Sequence, residues 1–404
     1  MDHVAAGAER ILPRKLAGAT VLQLVPSLGG DPLGRAALNI AQSLLRAGAR
    51  AIIAAEGGAL VTELEAAGGQ WIELADAKLN PLQLRRNAQA LEEIVAAERV
   101  DIVHAQSPSA AWSARAARAH LGAWLVTSFP EAPWAHSWYG AAFAGALRRG
   151  DHIIANSAYT AGRIGARYRI PPERISVIPR SIDTTRFDPA AVRPEAIGAL
   201  RRAWGIPTGV RVIVAPGRIA RANGQHVLVD AARLLAVKGL RDITFVLVGD
   251  ARRNARYARS VVKHAQEQKV HNLFRMIGHF QDVPAALATA ELIVVPAIKP
   301  PLFGRVVAEA QAMARPAVTS EIGAFPENLL APPRVSDDLR TGWLVPPNEP
   351  LTLAVAIEAA LALDDAAYGA LGARAREFTT FVFSPPRVAA ATLAVYTSVL
   401  EGDG

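Results

Sequence analysis

Cysteine is absent from all 404 residues. That excludes disulfides, thiolate nucleophiles and cysteine-held metals, and leaves chemistry done by oxygen, nitrogen and backbone groups. No run of 18 or more uncharged apolar residues occurs, and the opening "MDHVAAGAERILPRK" has no apolar signal core; neither a spanning helix nor secretion is expected. The nine histidines lack the i, i+4 pairing of a zinc helix, and no acidic D-x-D or EF-hand loop stands at a strand end, so no metal site is expected. No G-x-S-x-G elbow is present for a hydrolase triad. Lysine is scarce beside arginine, and the formal charge of +8 with a pI near 10.1 suits phosphate-bearing ligands, an anionic membrane surface or nucleic acid. GC-rich coding accounts for the same arginine and alanine enrichment. Doublets such as Arg85-Arg86, Arg148-Arg149, Arg201-Arg202 and Arg252-Arg253 are spread out, and without a long basic block nucleic acid is not an expected partner.

What is present is alternation. Apolar, β-branched runs "TVLQLV", "ARAIIAA", "QWIELA", "DIVHAQ", "WLVTSF", "HIIANS" and "RISVIP" are separated by helical patterns such as "GRAALNIAQSLLRAG" and "PLQLRRNAQALEEIVAAE". A turn-rich, strandless stretch from Ser181 to about residue 205 reads as a linker. Alternation then restarts with "RVIVAPG", "ITFVLVGD", "LFRMIG", "ELIVVPA", "PAVTS" and "GWLVPP". Strands spaced by ten to fifteen helical residues imply crossover units and parallel sheets covered on both faces. The expected class is α/β: two doubly wound, Rossmann-like parallel-sheet domains facing across a cleft, with ligands at strand carboxyl ends. Boundaries fall at 16–185 and 205–380, followed by a helix over 381–404 able to pack back on the first domain.

Three glycine turns follow strands. "LVPSLGGDPLGRAALNIA" puts Gly29, Gly30 and Gly34 before the first helix, where backbone amides can hold an anion or merely form a tight turn; it lacks the G-x-G-x-x-G spacing and a P-loop lysine. "VIVAPGRIARANGQH" places Gly217 and Arg218 at a strand end, with Arg221, Asn223 and Gly224 following; an arginine there suits a diphosphate or a plain surface loop. "FVLVGDARRN" carries Gly249 and Asp250. His104 ends the strand "DIVHAQ" and reads either as a catalytic group or as a satisfied structural histidine. "SFPEAPWAHSWYGAAFAGALRR" brings Trp134, Trp138, Tyr139 and Phe143 near Arg148 and Arg149, as core or as a lipid- or sugar-facing surface. In "KPPLFGRVVAEAQAMARPAV" the spacing predicts a helix burying Val306, Val307, Ala310, Met313 and Ala314, with Glu309 at the edge of that stripe.

The order of "GG" near 30, "DIVHAQS", "IIANSAYT", "ISVIPRSIDTTRFDP", "PGRIARANGQ", "LVGD", "MIGHFQDVPAALATAELIVVPA", "FGRVVAEAQAMARPAV" and "TGWLVPP" resembles the family 4 retaining glycosyltransferases of GT-B fold, akin to bacterial lipopolysaccharide and capsule sugar transferases. The resemblance covers nearly the whole chain. It implies metal-independent transfer of a sugar from a UDP- or GDP-sugar co-substrate, with no other cofactor, to a cell-envelope glycan or glycolipid. It also implies a cytoplasmic protein, peripheral at the inner membrane face. Carried over residue by residue, it makes Arg218 and Glu309 the central groups. Arg218, with Gly217 and the Gly29-Gly30 turn, meets the diphosphate; Phe303, Gly304, Arg305, Val306 and Val307 open the helix beneath it; Glu309 takes the ribose hydroxyls; and the backbone near His279 and Phe280 contacts the base. The sequence departs from the family pattern at three positions. Pro301 stands where a first carboxylate is usual, Asn223 where a lysine is usual with Arg221 as a stand-in, and Pro130 where a histidine is usual. These departures favour a rival reading, a GT-B protein that binds nucleotide or glycan as partner or sensor. An epimerase or phosphorylase of the same fold is a third reading.

Overall fold

A computed structural model describes residues 15–402 except residues 79, 118–121, 130–144 and 147. Pro130 and the aromatics Trp134, Trp138, Tyr139 and Phe143 lie outside the described residues. The chain divides into two compact units, one running to Ser181 and resuming at Pro385, the other Ile182–Ser384.

The first unit has strands β1 (Thr20–Ser27), β2 (Arg50–Glu56), β3 (Gln70–Glu73), β4 (Ile102–Ala105), β5 (Trp124–Phe129), β6 (His152–Ala155) and β7 (Ile175–Val177). They form one sheet in the order β3-β2-β1-β4-β5-β6-β7, parallel throughout. Helices α1 (Pro32–Arg46), α2 (Val61–Ala66), α3 (Pro81–Glu98), α4 (Pro108–Ala117) and α5 (Ala158–Tyr168) connect them. Helix α1 starts where Asp31 accepts the Leu33 and Gly34 amides, carries Pro32 in its first turn, and buries Ala37, Leu38, Ile40, Ala41 and Leu44. The last helix, α13 (Pro385–Glu401), packs on α1. It adds Ala389, Val395, Tyr396, Val399 and Leu400 to the same apolar cluster.

The second unit has β8 (Arg211–Pro216), β9 (Ile243–Val248), β10 (Phe274–Gly278), β11 (Leu292–Val295), β12 (Ala317–Ser320) and β13 (Gly342–Val345), in the order β10-β9-β8-β11-β12-β13, again parallel. Its helices are α6 (Pro194–Ala203), α7 (Gln225–Val237), α8 (Ala255–Glu267), α9 (Val283–Ala288), α10 (Arg305–Ala312), α11 (Pro350–Leu361) and α12 (Asp365–Phe383). Every residue of β9 is buried, as a strand covered on both faces requires. Each large apolar side chain so buried contributes about 1.5–3 kcal/mol.

All thirteen strands among the described residues fall on the segments read from the sequence. The stretch expected as a linker does not remain one. Ile182, Phe187, Trp204 and Ile206 are buried in the core of the second unit with Val212, Val214 and Phe383, and the Ile182 amide donates to the Phe383 carbonyl at 2.8 Å. A few large apolar residues spaced along turn-rich sequence suffice to fasten it there. Helix α10 is also shorter than its apolar stripe: Ala314 has left-handed φ of 52° and ends the turn before β12.

Candidate functional site

In the second sheet, chain order reverses between β8 and β11. Loops leaving the carboxyl ends of those two strands diverge to opposite faces, the usual place for a ligand in an open α/β sheet. Here the loops are tied together. Ala222 accepts the Ile298 and Lys299 amides at 2.9 and 3.2 Å, the Gly217 amide donates to Val248, and the Gly249 amide donates to Gly278. Two glycines permit this closeness: a Cβ on Gly224 would lie 1.8 Å from the Pro296 carbonyl oxygen, and one on Gly249 would lie 1.8 Å from that of Gly217. Arg218 leaves this edge with an exposed side chain that makes no ion pair among the described residues. Its carbonyl is held by Asn223 Nδ2 at 2.6 Å and Gln225 Nε2 at 3.1 Å. Asn223, where a lysine is usual, thus fastens the loop. Burial lowers the pKa of His226 and raises that of Tyr257; the nearby Arg221 guanidinium adds to the first shift and opposes the second.

Ten residues after β11, helix α10 opens at the same edge. The Gly304 amide donates to buried Asn328 Oδ1 at 2.9 Å, and a Cβ on Gly304 would lie 2.3 Å from that oxygen. One amide expected to meet a ligand is therefore already used. Those of Arg305 and Val306 carry no hydrogen bond among the described residues, so two donors and the positive end of the helix remain available. The Val307 amide, also expected to meet a ligand, donates to Gly304, and its side chain is fully buried in the core. Phe303 packs edge-on against Phe383 with centroids 5.7 Å apart.

Glu309 sits one turn into α10, its side chain 13% exposed, and accepts from Arg305 Nε at 2.9 Å. Burial raises its pKa; the Arg305 and Arg186 guanidiniums oppose that rise. Pro301 offers neither acceptor side chain nor free carbonyl, since its oxygen takes the Ala324 amide at 3.0 Å. Along the sheet, His279 is exposed, while Phe280 packs edge-on against Trp204 at 5.8 Å and so anchors its loop. Asp250 is held near pKa 2 by hydrogen bonds from Arg252.

The first unit gives different answers for its residues. At Gly29-Gly30 the Gly29 amide donates to Ser27 Oγ at 3.1 Å, and Asp31 Oδ1 takes the Leu33 and Gly34 amides at 2.8 and 3.2 Å. Three amides of that turn are thus taken by the chain's own oxygens, and the Asp31 carboxylate opposes a second anion. His104 is 2% exposed with both ring nitrogens engaged, Nδ1 with Tyr396 Oη and Nε2 with Ser128 Oγ, each at 2.6 Å. Burial lowers its pKa to about 3. Of the two roles read from sequence, this geometry is that of the structural histidine, and the catalytic assignment is corrected accordingly.

Two family profiles match the chain. The one described as Glycosyltransferase Family 4 covers residues 33–186, and the one described as Glycosyl transferases group 1 covers residues 210–363. The chain belongs to the family 4 glycosyltransferases. Its fold is GT-B: the structure of a glycosyltransferase from Rickettsia africae aligns with TM-score 0.78 at 27% identity, over 95% of this chain and 99% of that one. Anabaena HepE in complex with UDP and glucose shares the fold at TM-score 0.73 and 21% identity, over 94% and 100%. Among curated relatives, a D-inositol 3-phosphate glycosyltransferase of Saccharomonospora viridis is 28% identical over 62% of this chain and 56% of its own length. One of Salinispora arenicola is 29% identical over 43% and 40%. The chain thus spans about half the length of the curated relatives it matches.

Of the positions that the family 4 resemblance marks, the second unit brings Gly217, Arg218, Asn223, Gly304, Arg305, Val306, Val307 and Glu309 to one sheet edge. Sequence reasoning missed Asn328, which caps α10 from 24 residues away, and Arg186, whose guanidinium acts on Glu309. Neither belongs to a periodic pattern. The same reasoning also left out the Arg305–Glu309 pair, for which an i, i+4 spacing on a helix was the available signal.

Proposed function

We propose that the chain transfers a sugar from a nucleotide-sugar donor, of UDP or GDP type, to a cell-envelope glycan or glycolipid with retention of configuration. The observation that carries this reading is the β8/β11 edge, where an exposed arginine on the loop after β8 and two free amides and a partly buried carboxylate on α10 follow strands whose loops are hydrogen-bonded to one another. A nucleoside diphosphate matches that set: amides and guanidinium for its phosphates, Glu309 for its ribose hydroxyls. Anabaena HepE, of the same fold, holds UDP-glucose. In retaining transfer the diphosphate departs as the acceptor hydroxyl approaches the same sugar face, and a phosphate oxygen takes the acceptor proton. What this chain supplies is positioning and stabilisation of the developing diphosphate charge, by Arg218 and the α10 amides without a resident metal. Release of nucleoside diphosphate from a UDP- or GDP-sugar in the presence of acceptor glycolipid, lost in Arg218→Ala, supports the reading; its absence with every common donor counts against it.

A second reading follows from Asn223 and Pro301, whose polar groups are spent on Arg218 and Ala324: binding without turnover. Tight, Arg218-dependent nucleotide binding with no product from any acceptor supports that alternative. We also place the protein at the inner face of the cytoplasmic membrane, through arginines on and beside α5. Arg163 lies over Tyr159, and Arg148 and Arg167 over Tyr168, at 5.7–5.8 Å. Residues 148–174 hold six arginines and two carboxylates. No helix among the described residues is long and apolar enough to cross a membrane. Flotation with anionic vesicles that leaves all protein in the soluble fraction removes the membrane assignment.

A further inference from the structure

We infer that the Arg305 side chain is the second cation of the diphosphate site. This rests on the donor reading above and goes beyond the helix amides it names. Arg305 occupies the first position of α10, beside the two free amides. Its Nε is committed to Glu309 Oε1 at 2.9 Å, which fixes the plane of the guanidinium. Neither Nη has a partner among the described residues, and the side chain is 34% exposed. A guanidinium anchored through Nε and open at both Nη presents a preorganised fork suited to phosphate oxygens.

The other candidates fit less well. Asn223 carries no charge and spends its Nδ2 on the Arg218 carbonyl. Arg221 acts on His226 and Tyr257, at the α7 and α8 side. Arg186 also acts on Glu309, but its guanidinium is stacked over Phe187 with its carbon 5.5 Å from the ring centroid. With one carboxylate faced by Arg305 and Arg186, the local charge is a net single positive, so Glu309 does not cancel the fork. Arg305 thereby has two tasks: through Nε it pairs with Glu309 and opposes the rise that burial imposes on that carboxyl's pKa, and it binds the diphosphate through Nη.

The test is calorimetric titration of the full chain with UDP and UMP, GDP and GMP, and ADP and AMP, for the unaltered protein, Arg305→Gln and Arg305→Lys. For whichever base binds, Arg305→Gln is expected to weaken the diphosphate about thirtyfold, the worth of one charge-assisted hydrogen bond. It is expected to weaken the monophosphate much less, and Arg305→Lys, which keeps the charge but not the fork, is expected to regain only part of the diphosphate loss. Equal losses for diphosphate and monophosphate, or no loss for either, overturn the inference while leaving the donor site standing. Binding of no nucleotide by the unaltered protein overturns the donor reading, and this inference with it.

Discussion

Replacing Gly224 with alanine probes the contact on which the proposed site depends. Two costs add. Gly224 has φ of +69°, and an L side chain in that region costs about 1–2 kcal/mol. A Cβ there also lies 1.8 Å from the Pro296 carbonyl oxygen, and moving backbone at a buried strand end to relieve it costs about 1–3 kcal/mol more. Gly239 is the control: its φ is +94° and a Cβ there meets nothing within 4 Å, so Gly239→Ala incurs only the first cost. Denaturant melts followed by tryptophan fluorescence are expected to place Gly224→Ala about 1–3 kcal/mol below Gly239→Ala, with nucleotide affinity weakened in the former only. Thermal melts of a unit this size should separate the two by roughly 2–4 °C per kcal/mol. Equal losses in the two variants refute the claim that the loops after β8 and β11 are packed backbone to backbone.

Acid stability follows from His104. Its pKa is about 3 folded against 6.5 ordinarily, so below 6.5 the unfolded chain takes up the extra proton. The stability from this group is complete above pH 6.5 and falls by about 1.4 kcal/mol per pH unit toward 3. Denaturation of His104→Asn between pH 7 and 4.5 should lack that slope, and parallel losses in both proteins contradict it. Tyr396→Phe leaves the buried His104 Nδ1 unpaired and should cost about 1–3 kcal/mol; an unchanged denaturation midpoint counts against the bond. Glu309 runs the other way, its folded pKa being raised above 4.5. Its contribution is complete below pH 4.5 and is lost as pH rises through the raised value. The stability of Glu309→Gln relative to the unaltered protein should therefore improve with rising pH, and a difference independent of pH refutes the burial argument.

The parallel sheets were legible because strands buried on both faces must be continuous apolar runs, as "ITFVLV" of β9 shows. The stretch 182–206 was misread because its packing depends on isolated residues, Phe187 and Trp204 among them, set in turn-forming sequence. At the site, glycine turns after strands located the loops correctly, yet sequence does not say which amides are already bonded. Gly29 and Gly304 looked alike as anion-binding turns. The first is satisfied by Ser27, close in sequence, and the second by Asn328, 24 residues on. Likewise His104 ended a strand like a catalytic residue, and only its pairing with Tyr396, 292 positions away, shows otherwise.

The account rests on Arg218 and the α10 turn forming one nucleotide-diphosphate site. Calorimetric titration of UDP, GDP, ADP and their common sugar conjugates into the unaltered protein and Arg218→Ala tests it most directly. The expected result is micromolar binding of one sugar nucleotide, tighter than its bare diphosphate and weakened at least about tenfold by the substitution. The same affinity in both proteins contradicts the assigned site.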